Sequence, residues 1–324
     1  MFLTNISTPS LKAEFINEDW NRLIDFLKRH KLDGIELFFQ NGLDIEKIPK
    51  NIIHGLHLKF WPIWLDFWKK DEKACIKQFG SLENIEMFYG GTTPDVLIEH
   101  YKNEFCLAKK LNVKYMVFHV SHVEMEHIFT KKFSYSDWDV LEASIELINA
   151  SFDDENCDIK LLFENLWWPG LNFLNPTLTK KFFKKIKYQN KGFLLDLGHM
   201  MITNPNLTNE IDAKDYIIDK IDRLGNLKSE IYGMHINSSL TGEYFNQKHT
   251  EKMNEIMNQE NIWDKYIAAS QHIKNIDTHM PFKDECLQEI IEFVNPLYKV
   301  FEVLPNDYEE FDKNISIQNK ALNR

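Results

Sequence analysis

Short apolar runs alternate with longer amphipathic ones along most of the chain. Eight of the short runs read as strands, at residues 2–6, 34–39, 52–58, 115–120, 159–164, 192–197, 230–236 and 298–303. Several are continuously apolar, the pattern of strands buried on both faces. Helical periodicity fills the intervals. Residues 18–30 place Trp20, Leu23, Ile24 and Leu27 on one face, with Asn17 as the candidate N-cap. Further helices are expected at 94–111 behind Thr93, and at 136–151, 177–186, 213–224 and 286–293. Repeated strand–helix units predict a parallel sheet, and eight of them predict closure into a (β/α)8 barrel of the α/β class. Neither GxGxxG nor a P-loop occurs, so nucleotide-binding sheets lose their usual signature.

Two stretches exceed the simple unit. Residues 60–91, after the third strand, carry Phe60, Trp61, Trp64, Phe67 and Trp68 close together. They read as an amphipathic insertion on the barrel rim, or as an aromatic wall over a site, with Trp61 and Trp64 as candidate substrate contacts. Residues 240–276, after the seventh strand, are rich in Asn, Gln, Glu and Lys and read as surface helices. The expected organisation is a single barrel domain over 1–305 followed by a polar, partly disordered C-terminal tail over 306–324.

The formal net charge is −11, and only Arg22, Arg29, Arg223 and Arg324 are arginine. A protein that grips nucleic acid usually carries a basic face that neutralises phosphates, and none is visible. The expected partner is a small-molecule or peptide substrate; oligomeric state is not encoded in any recognisable pattern. Cys75, Cys106, Cys157 and Cys286 are scattered without a CxxC pair and read as reduced thiols of a cytoplasmic protein. The first residues lack a basic stretch followed by an apolar run, so no signal peptide is expected, and no membrane span is expected either.

Candidate chemistry appears at the ends of the strands, where barrels of this kind carry their active sites. His57 lies near the end of strand three, His119 ends strand four, Glu164 strand five and Asp196 strand six, with His199 three residues on. His235 ends strand seven, Glu302 ends strand eight, and Asp277 and His279 stand together in the loop before it. Any one of these alone reads most simply as a hydrogen-bonded core residue. Six successive strands ending in such groups are a different matter, because ionisable side chains are rarely buried without a partner or a metal. Mixed imidazole and carboxylate ligands suit zinc, manganese or iron, and nine groups suit two or three divalent ions better than one. Asn165, Trp167 and Trp168 follow Glu164, and Asn237 follows His235; they are candidate substrate contacts. His122 reads as a loop residue or a group that orients a ligand. His30, His54, His100, His127, His249 and His272 read as surface or rim residues.

The ordered set resembles the xylose isomerase-like TIM barrels, which include sugar isomerases and epimerases and the endonuclease IV type of nuclease (AP endonuclease family 2). The resemblance implies a sugar-isomerase core of Glu164, Asp196, His235 and Glu302 around one metal. The endonuclease IV pattern implies more: His57 and His119 for a further ion, and His199, Asp277 and His279 for another. All nine positions are filled in order. An arginine-rich loop for DNA has no equivalent here, and the tryptophan-rich insertion is not part of that pattern. The chain has a looser likeness to multinuclear non-haem iron oxidases that modify peptides, which share an IDTH segment, although LLDLGH stands where those usually carry paired Asn residues. Three activities follow as expectations. Phosphoester hydrolysis of a non-DNA substrate comes first, with Glu164 bridging two ions. Oxidation by two or three irons is second. Sugar isomerisation with Glu164 and Glu302 as an acid–base pair is third.

Overall fold

Eight parallel strands close into a barrel in chain order. They are β1 (Phe2–Ser7), β2 (Gly34–Phe38), β3 (Ile53–His57), β4 (Tyr115–His119), β5 (Lys160–Glu164), β6 (Lys191–Asp196), β7 (Ile231–Ile236) and β8 (Tyr298–Phe301). The computed structural model describes residues 1–12, 16–40, 47–153 and 157–324. Each expected strand is present, shifted by no more than two residues at either end.

Alternation of side chains across each strand sorts the residues into two layers. Met116, Phe118, Leu161, Phe163, Phe193 and Leu195 face outward and pack with the helices. Tyr115, Val117, Leu162, Leu194, Tyr298 and Val300 fill the barrel lumen. Tyr115 stacks on Tyr298 with ring centroids 4.3 Å apart, which plugs the interior. Val117, Leu162, Leu194 and Val300 each stand two residues before His119, Glu164, Asp196 and Glu302, so the same period aims those polar groups inward one layer higher. Strand register sets them at one level: His119 pairs with Glu164, and Asp196 with His235.

The insertion after β3 forms helices Leu65–Trp68, Glu72–Phe79 and Leu82–Tyr89. Its aromatic residues join the outer core of the barrel, and Phe67 stacks on Tyr89 at 3.9 Å. Trp61 and Trp64 are buried there too. Trp61 packs against His100 and Tyr101, and the Trp64 indole donates to the Ser121 carbonyl. The insertion after β7 forms Gly242–Asn246, Thr250–Met257 and Ile262–Lys274. Among the described residues no helix is long and apolar enough to cross a membrane.

Three expectations need correction. The helix Trp20–Arg29 is capped by Asp19, whose side chain accepts from the Asn21 and Arg22 amides, and not by Asn17. His30 and His272 are buried, held by Asp312 and by the Tyr244 hydroxyl respectively. The third concerns 306–324, which is no disordered tail: Tyr308–Ala321 is a helix. Phe311 stacks on Phe26 at 4.6 Å, and the buried Gln318 amide bridges the Phe282 N–H and the Ile236 carbonyl. Composition hides this helix, because Gln318 and Asn319 are polar residues buried by hydrogen bonds to backbone. Phe311→Ala is expected to lower unfolding free energy by about 3–5 kcal/mol in urea denaturation; a change within error would mean the helix is detached in solution.

Candidate metal centre at the barrel mouth

All nine sequence-predicted site residues converge at the C-terminal mouth of the barrel. Among the described residues they fall into three groups of closely spaced donor atoms, His57 with His119 and Glu164; Glu164 with Asp196, His235 and Glu302; and His199 with Asp277 and His279; a fourth group joins His57 and His235 to Glu36. Glu164 belongs to two groups because its two oxygens face apart. Oε2 lies 2.9 Å from His119 Nε2 and 3.4 Å from His57 Nε2. Oε1 lies 3.2 Å from His235 Nδ1. In the third group Asp277 Oδ2 is 2.7 Å from His279 Nε2 and 3.1 Å from His199 Nε2.

Local sequence explains how each side chain is held. The LLDLGH segment turns from β6 into helix Leu197–Ile202, and Asp196 caps it by accepting from the His199 amide. That cap fixes one oxygen of Asp196. The other accepts from the Asn237 amide at 2.8 Å. Gly198 makes room for this, since a Cβ there would stand 1.9 Å from Asn237 Oδ1. Asn165 exchanges two hydrogen bonds with the Asp196 backbone. Asp277 is steadied by the Ser239 hydroxyl at 3.0 Å.

Three of the five histidines show which nitrogen is free. A carbonyl oxygen carries no proton, so a ring nitrogen bonded to one must donate. His57 Nδ1 donates to the Leu58 carbonyl, His199 Nδ1 to that of Asn165 and His279 Nδ1 to that of Glu302. In all three, Nε2 is the nitrogen turned toward the neighbouring carboxylates. His119 differs, with a buried Nδ1 that has no partner.

The electrostatics are those of a buried, mixed cluster. Burial pushes the Asp196 carboxyl up to about 7, with Glu302 and Glu164 adding to the effect against His199. Burial also opposes the charged forms of Glu302 and His279. It is outweighed at Glu302 by His235 and His279, which hold that carboxyl at about 2. At His279 it is outweighed by Asp277, which raises the imidazole to about 9. His199 and His235 are likewise held well above the usual imidazole value by surrounding carboxylates, Asp196 foremost for one and Glu302 for the other, against the effect of burial.

A cavity of about 430 Å³ opens over these groups. Trp167 and Trp168 line it as expected, and Trp167 lies 5.1 Å from the His199 ring. Trp61 and Trp64 do not reach it; Phe60 and Pro62 of the same insertion do. Asn165 and Asn237 are also absent from its lining, being spent on Asp196. The helix Ile262–Lys274, expected as surface, supplies Tyr266, Ser270, Ile273 and Lys274 to the wall. Their spacing of three and four residues is that of one helix face. His122 lies outside the cavity lining: its Nδ1 accepts the Trp64 and Leu65 amides at 3.2 Å, burial lowers its pKa to about 3, and it stands in a separate group of donors with Asp66 and Glu124.

One buried acid escaped the strand-end reasoning. Glu36, midway along β2, is fully buried and lies 2.9 Å from His235 Nε2. Its signal was available: a glutamate in the middle of GIELF, two residues from either end of an apolar strand.

Among solved structures the chain is similar to AsfvAP:AG, at 14% identity and a TM-score of 0.54, covering 100% of this chain and 98% of that one. It is similar to the IOLI protein with a bound zinc atom (14% identity, TM-score 0.52, 99% and 95% covered). A third likeness is to the probable 3-DHS dehydratase AsbF of Bacillus anthracis (11% identity, TM-score 0.51, 99% of each chain). At these identities the likeness is one of fold. No curated protein matches the chain. Residues 24–299 match the family described as xylose isomerase-like TIM barrel; the chain therefore belongs to that family, whose members are mainly enzymes.

Proposed function

We propose that the protein is a multinuclear metal-dependent hydrolase acting on a small phosphoester. The observation that carries the reading is the splayed Glu164 carboxylate, each oxygen of which faces a different donor group. A carboxylate shared in this way suits two neighbouring ions, and the His199, Asp277 and His279 group suits a third.

The donor set fits divalent cations. Glu164 Oε2 and Glu302 Oε2 are buried without a hydrogen-bond partner, although imidazole nitrogens stand 2.9 Å from each. Histidines that donate one nitrogen to a fixed acceptor and free the other are the usual form of metal-ligating imidazole. The mixture of nitrogen and oxygen donors without thiolate favours zinc, manganese or iron over calcium. Zinc, which the IOLI structure holds, is the first candidate.

Divalent ions held here would supply Lewis-acid stabilisation to a phosphoryl group. The chain's own side chains do the rest. Asp196, fixed through the His199 amide and Asn237, and Asp277, fixed through Ser239, keep their oxygens in place without reorganisation. Phe38, Phe60, Trp167 and Trp168 wall the cavity and offer an apolar face to the substrate's organic group. The cavity volume suits a small molecule. Lys274 is the one lysine or arginine among the described residues lining it, which sets the site apart from a phosphate-tracking nucleic-acid groove.

That aromatic, lysine-poor wall also favours a second reading, oxidation of a peptide or small molecule by two or three irons. The metal decides between the two. A single-ion isomerase leaves His57, His119, His199, Asp277 and His279 without a role.

Two outcomes are expected. Protein purified with zinc or manganese hydrolyses aryl phosphomonoesters or diesters, and Glu164→Gln lowers the rate by about 100-fold or more. A protein loaded with these ions that turns over no phosphoester overturns the hydrolase reading, and native iron with oxygen uptake moves it to the oxidase.

The second concerns pH. In metal-free protein His279 is raised from its ordinary 6.5 to about 9, so its stabilising contribution is complete below 6.5 and lost as pH rises through 9. Asp196 acts in the same direction, because ionising a buried carboxyl held at about 7 costs stability as pH rises. The melting temperature of metal-free protein should therefore fall between pH 6.5 and 9.5. Added zinc or manganese should reverse the slope, since ligands must lose their protons to bind. A metal-free protein that grows more stable over that range, or a slope that added ions leave unchanged, contradicts the assignment.

A further inference from the structure

Glu36 lies outside the nine site residues, yet it is as deeply buried as any of them and makes three hydrogen bonds. Its Oε1 accepts from Asn5 Nδ2 at 2.8 Å and from His235 Nε2 at 2.9 Å. Its Oε2 accepts from the Tyr115 hydroxyl at 2.8 Å. Tyr115 is in turn held by its stack on Tyr298 in the barrel plug. The carboxylate is thus fixed at both oxygens by side chains from β1 and β4, and presents one of those oxygens to a histidine on β7.

That contact reverses the orientation found in the other resolved site histidines. His57, His199 and His279 donate from Nδ1 to a backbone carbonyl and turn Nε2 toward the carboxylates. His235 has Glu36 behind Nε2 and turns Nδ1 toward them. That nitrogen stands 2.9 Å from Glu302 Oε2, 3.2 Å from Glu164 Oε1 and 3.7 Å from Asp196 Oδ2. It is the single imidazole of the central donor group, so the tautomer of this one ring decides whether that group has a nitrogen ligand.

We propose that Glu36 is a positioning residue for the central ion: it fixes His235 in the Nε2–H tautomer, sets the ring plane, and makes Nδ1 a stronger donor than a carbonyl-backed imidazole would be. Carboxylate–imidazole–metal arrangements act in this way, and losing the outer partner typically weakens binding by about 10–100-fold. The effect is local. The His199, Asp277 and His279 group has no contact with Glu36 and keeps its own backbone acceptors. This inference rests on the metal reading of the site.

The test compares wild type with Glu36→Gln and Glu36→Leu by titrating metal-free protein with cobalt(II) or zinc against a competing chelator, and by long-range nitrogen NMR of the histidine rings. Glutamine keeps an acceptor for His235 and removes the charge; leucine removes the acceptor. One ion of the wild-type set is expected to weaken by about 10-fold in the glutamine variant and about 100-fold in the leucine variant. The ion of the His199, Asp277 and His279 group keeps its affinity, and the ring NMR of E36L shows His235 leaving the single Nε2–H form. If leucine prevents folding, the glutamine variant alone must show the selective loss. Unchanged affinities, or a uniform loss at every ion, overturn the inference while leaving the metal centre standing. A wild-type protein that takes up no divalent ion overturns both.

Discussion

Carboxylates that share a dry pocket must be offset by positive charge between them or take up protons. Glu164, Asp196, Asp277 and Glu302 meet at one mouth of this barrel, all of them nine-tenths buried or more, with Glu36 directly beneath. Without ions the cluster balances itself with protons: His199, His235 and His279 are pushed upward, burial pushes the Asp196 carboxyl up to about 7, and Glu302 and Asp277 are pushed down. Divalent cations would do the same work with fewer constraints, releasing those protons. The lumen plug, the strand register and the cap of Asp196 all serve to keep this concentration of charge in one arrangement.

Much of that arrangement is legible in the sequence because it follows from a period of two. Once a strand is located, the polar residue at its end is placed inward by alternation with Val117, Leu162, Leu194 or Val300. Register then brings neighbouring strand ends level. Glu36 obeys the same rule, but it lies midway along its strand, so attention to strand ends alone passes over it. Asn165 and Asn237 were found as polar neighbours of site residues, yet their contacts are with Asp196 and not with the cavity; nothing in a sequence distinguishes an amide that meets substrate from one that holds a ligand.

The misread segments share a different cause. Trp61 and Trp64 stand near the site in sequence, but they are buried against the helix Asp95–Leu111 and the loop after β4 and do not reach the cavity. Conversely, the polar helix Ile262–Lys274 lines the cavity with a few residues of one face, too sparse a stripe to stand out among Asn, Gln and Lys. The helix Tyr308–Ala321 buries amides against backbone, a use of polar residues that hydrophobic patterning does not register. Chemistry is less legible than fold for a deeper reason: one barrel supports many reactions, and the donors that hold ions do not name the substrate. The cavity narrows that choice through its size, its aromatic wall and the single lysine among its described lining residues.

The claim on which the rest depends is that the mouth holds more than one ion, with Glu164 between two of them. Diffraction from crystals of the metal-loaded protein, recorded on both sides of the metal absorption edge, tests it most directly. The expected result is anomalous density at three positions: beside His57, His119 and Glu164; among Glu164, Asp196, His235 and Glu302; and beside His199, Asp277 and His279. A single peak confined to the central group, or no peak at the mouth at all, would contradict the account.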